Sequence, residues 1–185
     1  MKTGIVLKSF TAKDGRNVIL RTPKWEDLDD LTEIVNSIVD EGVDIAASQK
    51  VTREQETEWF RQRLPLMEKG EVLGLVAEVD GKVITRSELT KYTGYSNHVG
   101  NIYIGIKKDY RDIGIGTEIM KTLISQAKDM GLMMLELAVV STNRNAVHVY
   151  QKVGFKKTGR IPKFYYKNGQ FADEIIMVKE LTELT

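Results

Sequence analysis

The 185-residue chain contains no cysteine. That excludes disulfides, thiolate metal sites and a cysteine nucleophile, and it fits the reducing cytosol. Histidine is nearly as scarce, with two residues, so no metal cluster is supported and none is expected. A dominant charge is also missing: 27 basic and 26 acidic side chains leave a net charge of +1. Such a balance gives no global attraction to nucleic acid or to an acidic membrane. No run approaches the roughly 20 apolar residues of a membrane span. The opening MKTGIVLKSF lacks the apolar core and small-residue cleavage site of a secretory signal. The expectation is a soluble cytoplasmic protein with neither membrane nor nucleic acid as a partner. What is present is 42% hydrophobic residues, enough to bury one sizeable core in one domain.

Ile5 to Phe10 and Val18 to Arg21 read as short strands around Asp14-Gly15, a tight-turn pair. From Trp25 to Val39, Leu28, Leu31, Ile34, Val35 and Ile38 recur at helical spacing. Residues 44–51 read as a loop. Thr52 followed by Gln55 resembles a capping box and opens a second helix, which Pro65 is expected to kink or end. Val72 to Val79 and Val83 to Leu89 are strands joined by Asp80-Gly81. Asn101 to Tyr110 reads as a strand. Ile115, Ile119 and Leu123 start a helix. Leu132 to Val140 is almost continuously apolar, as in a strand covered on both faces. Asn143 to Val153 is a short helix closed by Gly154. Phe155 to Ile161 and Ile175 to Lys179 are the last strands, with Pro162 to Gln170 as a loop between them. The order β-β-α-α-β-β-β-α-β-α-β-β describes an α/β chain. Its central β-α-β implies local parallel pairing, its hairpins imply antiparallel pairing, and the helices cover both faces of a mixed sheet.

Between the strand-like stretch that opens at Asn101 and the amphipathic run from Thr117 onward lies a glycine loop, Arg111-Asp112-Ile113-Gly114-Ile115-Gly116. A glycine loop that runs into a helix N-terminus is an anion-binding device. Unbonded N–H groups point outward there, and the helix dipole adds partial positive charge. A dinucleotide-binding Rossmann loop is excluded, because Thr117-Glu118-Ile119 holds no third glycine and no second βαβ half follows.

The loop fits Arg/Gln-x-x-Gly-x-Gly/Ala, and a second segment follows at Asn143-x-x-Ala146-x-x-x-Tyr150-x-x-x-Gly154-Phe155. Together, in this order, they resemble the two hallmarks of the GNAT superfamily of N-acetyltransferases. The resemblance implies a single-domain fold over residues 18–181, with about seven strands in a mixed, mostly antiparallel sheet. Residues 1–17 would form an N-terminal extension or edge strand. It further implies acetyl-CoA as co-substrate, an amine as acceptor and no metal. Neither a monomer nor a homodimer is singled out.

In that setting Arg111, Asp112, Ile113, Gly114, Ile115, Gly116 and Thr117 would cradle the CoA pyrophosphate. The glycines let the backbone approach, and Arg111 is placed to add charge. The main chain of Ile104, Gly105 and Ile106 would bond the pantetheine amides like an added strand, with Gly105 suited to a bulge or, alternatively, to the close approach of a packed neighbour. Asn143 resembles the cofactor-binding asparagine of the superfamily and can equally cap its helix. Ala146 is small where cofactor or sheet packs close. Tyr150 resembles the general acid that protonates the departing thiolate. Many members carry a glutamate as base near the start of the corresponding strand. Here Asn101 holds that place and cannot serve, which leaves Glu88, His98 or a water chain to either. His148 shares a helix with Tyr150 but reads as structural. Acceptor-side segments carry Glu41, Asp44, Phe164, Tyr165, Tyr166, Asp173 and Glu174, a mixture of carboxylates and rings suited to a cationic amine. The main reading is direct attack of a small or protein amine on acetyl-CoA; the alternative is a non-catalytic acyl-CoA-binding regulatory module.

Overall fold

The computed structural model describes residues 3–42 and 49–181. Asp44 lies outside them. The described residues form β1 (Val6–Thr11), β2 (Asn17–Arg21), α1 (Leu28–Asp40), α2 (Arg53–Glu68), β3 (Val72–Val79), β4 (Lys82–Val83), β5 (Thr85–Lys91), β6 (Val99–Ile106), α3 (Ile115–Asp129), β7 (Met134–Val140), α4 (Arg144–Lys152), β8 (Lys156–Lys167) and β9 (Gln170–Glu180). All nine strands join one sheet in the order β1-β2-β3-β5-β6-β7-β9-β8, with β4 paired to β3 off that path. Among the described residues only β6 and β7 pair in parallel.

The count is nine strands rather than about seven. One strand was expected at Val83 to Leu89; Ile84 interrupts it and separates β4 from β5. The N-terminal β1 adds an outer strand, antiparallel to β2.

Two faces are covered because β3 alternates. Leu73, Leu75, Ala77 and Val79 join the larger core with Ile115, Ile119, Met120 and Leu123 of α3. Val76 instead packs with Leu31, Ile34 and Ile38 of α1 and with Val83. Period-2 strand geometry sends successive side chains to opposite faces, so α1 and α3 lie on opposite sides of the sheet. The five apolar residues expected to form the inner stripe of α1 are all buried.

Helix α2 starts at the expected capping box. The Thr52 hydroxyl oxygen accepts the Gln55 N–H, and Gln55 accepts the Thr52 N–H at 2.8 Å. Pro65 does not end the helix, which runs on to Glu68. It sits in the last turn, so its missing N–H costs a single ladder bond, and its own carbonyl still accepts from Lys69. The expected loop at 162–170 is instead a hairpin. Strands β8 and β9 extend to Lys167 and Gln170 around Asn168-Gly169, both with positive φ. This is the backbone of a tight two-residue turn. Pro162 is tolerated because β8 is an edge strand and its register slips between Ile161 and Tyr165.

Candidate active site

The parallel pairing of β6 with β7 stops early. It includes Val99 with Met134, Gly100 with Leu135 and Asn101 with Glu136. Beyond that point β6 stays bonded to β5 as far as Ile106, and β7 stays bonded to β9 as far as Val140. The two strands therefore diverge, and their facing edges past Asn101 and Glu136 carry no ladder between them. Backbone amides left at such an edge need a partner, and an extended amide-bearing chain supplies one. A cleft of about 590 Å³ opens here, with Ile104, Gly105 and Ile106 on one wall.

Gly105 is not a bulge. It pairs in regular register with Arg86, with no slip along β5–β6. A Cβ at Gly105 would lie 3.1 Å from Ile38 Cδ1 and 3.2 Å from the Tyr103 hydroxyl, so close packing accounts for the missing side chain.

The glycine loop forms the adjoining wall. Asp112 and Gly114 take the left-handed region at φ 62° and 96°, and Gly114 caps α3. Among the described residues no side chain caps this end. The first N–H groups of α3 are thus available where Gly114, Gly116 and Thr117 line the cleft. Ile113 packs against the core and Ile115 is fully buried, so these two bring only main chain to the loop.

Arg111 lines the cleft, but its guanidinium is already engaged. Nε and Nη2 donate to the Ile106 carbonyl at 2.9 and 2.8 Å, and Nη1 pairs with Glu41 at 2.7 Å. The side chain ties the end of β6 to the end of α1. It is not an open charge aimed at an incoming anion.

Helix α4 closes the third side. Asn143 Oδ1 accepts the Ala146 N–H at 3.1 Å, the capping role. Asn143, Ala146 and Tyr150 all line the cleft. Tyr150 is 7% exposed, and burial pushes its phenol far above the ordinary range, with the Tyr103 phenol adding to the shift. It therefore stays protonated at any physiological pH. His148 corrects its structural reading: it is exposed and lines the cleft. Helical geometry puts His148 and Tyr150 on different faces, but the mouth of the cleft reaches both.

The two base candidates are not brought together. Glu88 lies directly across from Tyr103 in the β5–β6 register, on the strand face shared with Arg86 and Gly105. Its carboxylate points beneath α2, where Thr90 Oγ1 donates to it at 2.6 Å and Arg63 Nε lies 3.3 Å away. It does not line the cleft. His98 precedes β6 at the end where β6 and β7 are still paired. Six residues of extended chain put it roughly 20 Å from Ile104. That distance removes His98 from direct proton transfer at the wedge. Asn101 donates to Glu136 at 2.7 Å, and Glu136 also accepts from Tyr92 at 2.6 Å.

The expected acceptor carboxylates are internally bonded. Glu41 pairs with Arg111, Asp173 with Arg160, and Glu174 accepts from Tyr165 at 2.7 Å. Asp173 also accepts the Lys163 N–H, which with Arg160 holds its carboxyl below the usual range. Phe164 and Tyr166 are exposed on the β8–β9 hairpin. Two residues not singled out from sequence stand beside the expected ones: Tyr103, next to Gly105, and Lys13, which lines the cleft from the turn between β1 and β2.

Known proteins resemble this chain in sequence and in fold. A probable N-acetyltransferase, camello, of Xenopus tropicalis is 34% identical over 83 residues. That match spans 45% of this chain and 38% of camello, so the chain covers well under half of that relative. The L-amino acid N-acyltransferase MnaT of Escherichia coli is 24% identical over 90% of this chain and 95% of its own. Among solved structures, a GNAT superfamily phosphinothricin acetyltransferase from Sinorhizobium meliloti in complex with acetyl-CoA superposes with a TM-score of 0.80. It is 20% identical over 90% of this chain and 89% of the other, which is a likeness of fold. A model of the acetyltransferase (GNAT) family matches residues 34–155, a span holding the diverging strands, the glycine loop and α4. With about two thirds of its length inside that match, the chain belongs to the GNAT family of acetyltransferases.

Proposed function

We propose that the protein transfers the acetyl group of acetyl-CoA to the primary amine of a small amino-acid-like acceptor by direct attack. The observation that carries the reading is one cleft joining three features: unladdered strand edges, a helix N-terminus without a side-chain cap and a buried protonated tyrosine. The first suits the pantetheine amides and the second the pyrophosphate. The third suits the departing sulfur. The amine nitrogen attacks the thioester carbonyl, the C–S bond breaks, and the CoA thiolate takes the Tyr150 phenol proton. The proton lost by the amine leaves through water, and a proton from solvent restores the Tyr150 phenol. The amino-acid-like acceptor rests on the similarity to MnaT, which extends over nearly the whole of both chains.

Release of free CoA thiol from acetyl-CoA, measured against amino acids, polyamines and N-terminal peptides, tests the reading. Turnover on free amino acids is the expected result. Turnover on peptides alone would move the acceptor to a protein N-terminus. Tight acetyl-CoA binding with no turnover on any amine would make the chain a binding module.

Glu88 is the proposed base, because it lies opposite Tyr103 on the strand face of Gly105, while His98 lies at the end where β6 and β7 are still paired. Its path to the amine runs through water, since its carboxylate lies beneath α2. Glu88→Gln is expected to lower kcat/KM roughly fivefold at neutral pH, with recovery at higher pH as free amine accumulates. A pH–rate profile superimposable on that of the wild type would remove Glu88 from the proton path.

A further inference from the structure

The β1–β2 hairpin reaches over the glycine loop and is fixed there at three points, two in its turn and one in β1. Before the loop, Arg16 Nη2 donates to the Asp109 carbonyl at 3.0 Å, and its guanidinium lies 4.4 Å from the centre of the Tyr110 ring. Within the loop, the Lys13 N–H donates to the Ile113 carbonyl at 3.0 Å. After it, Lys8 pairs with Glu118 in the first turn of α3 at 2.6 Å. Ala12 is buried in the main core, so the turn is seated rather than waving in solvent.

This seating aims one side chain. Lys13 lines the cleft, and its Cγ and Cε both lie 3.9 Å from the position a Cβ would take on Gly114. Its ammonium forms no ion pair among the described residues. Lys8 and Arg16 on the same hairpin, and Arg111 in the loop itself, are all paired with carboxylates. The loop's own arginine is thus spent on Ile106 and Glu41, while a lysine with no carboxylate partner stands over the helix N-terminus.

We propose that Lys13 is a binding residue for the diphosphate of acetyl-CoA, so that the N-terminal hairpin forms part of the cofactor site. The inference rests on the acetyl-CoA reading of the cleft. Its chemistry is that of a flexible ammonium closing on an anion already held by backbone N–H groups. The hairpin supplies the charge that Arg111, held elsewhere, does not.

Calorimetric titration of the full chain with CoA and with dephospho-CoA tests the proposal. Lys13→Met is expected to weaken both ligands roughly fivefold, the size of one partly exposed charge-assisted contact, while Lys13→Arg retains most of the affinity. The melting temperature should not move, because the Lys13 side chain is exposed and only its backbone N–H anchors the turn. Unchanged affinity in Lys13→Met would overturn the proposal. So would a loss seen with CoA but absent with dephospho-CoA, which would assign Lys13 to the ribose 3′-phosphate. Failure of the wild-type chain to bind CoA at all would strike the acetyl-CoA reading itself, a result separable from either.

Discussion

Tyr150→Phe is expected to lower kcat at least tenfold while leaving acetyl-CoA affinity almost unchanged. A positioned general acid contributes on the order of 10²–10⁴ in rate. The substitution removes one oxygen from a ring that is 7% exposed and sits 6.3 Å, centre to centre, from Phe155. Phenylalanine keeps that packing, so the fold and the cofactor walls stay in place. A loss confined to kcat, with the dissociation constant unmoved, is the signature of an interaction made in the transition state. Stopped-flow or thiol-release kinetics beside calorimetry separates the two. An unchanged rate would take Tyr150 out of the mechanism.

The same burial predicts the pH profile. A neutral phenol is favoured in an enclosed site, and the neighbouring Tyr103 phenol pushes the same way. The acid form is therefore retained on the alkaline side. Wild-type activity should rise with pH as the amine deprotonates and should show no falling limb before the ordinary tyrosine range near pH 10. A fall well below that range would mean that Tyr150 is not desolvated in the working enzyme.

Elements set by local periodicity were legible in the sequence. The α1 stripe is one, and the glycine loop between β6 and α3 is another, because each is written within a few turns of chain. What could not be read depends on contacts distant in sequence. Arg111 was expected to face the phosphate, but its partner Glu41 lies 70 residues away, and a guanidinium takes the carboxylate and carbonyl it meets first. Gly105 was open to two readings, a bulge or a packed neighbour, and the approach of Ile38 from α1, which the strand's own sequence does not encode, selects the second. The divergence of β6 from β7 is a matter of register between strands joined through a helix, which neither strand's own pattern encodes. His148 was misread because an exposed helical position carries no mark of whether it faces bulk water or a cleft mouth. In one case a local signal was present and outweighed: Asn168-Gly169 is a strong hairpin pair, and Pro162 with the surrounding rings made the segment read as a loop.

Gly114→Val is expected to abolish measurable acetyl-CoA binding while the protein stays folded. Gly114 takes φ 96°, a region that disfavours any residue with a Cβ and β-branched ones most. The strain is on the order of 1–3 kcal/mol, a fall in melting temperature of roughly 2–12 °C for a chain of this size. Space is not the obstacle, since the nearest atoms to an added Cβ are the Lys13 side chain at 3.9 Å. The obstacle is position: the branched side chain would stand at the N-terminus of α3, which has no side-chain cap and is the proposed site of the diphosphate. Gly131→Val separates the two effects. Gly131 also has positive φ, at 70°, with nothing within 4 Å of its Cβ position, and it follows the other end of α3. It should lose comparable stability and keep its affinity. Loss of binding in Gly114→Val alone would locate the phosphate at the loop. Equal loss in both would trace it to general strain, and normal binding in Gly114→Val would remove the phosphate from the N-terminus of α3.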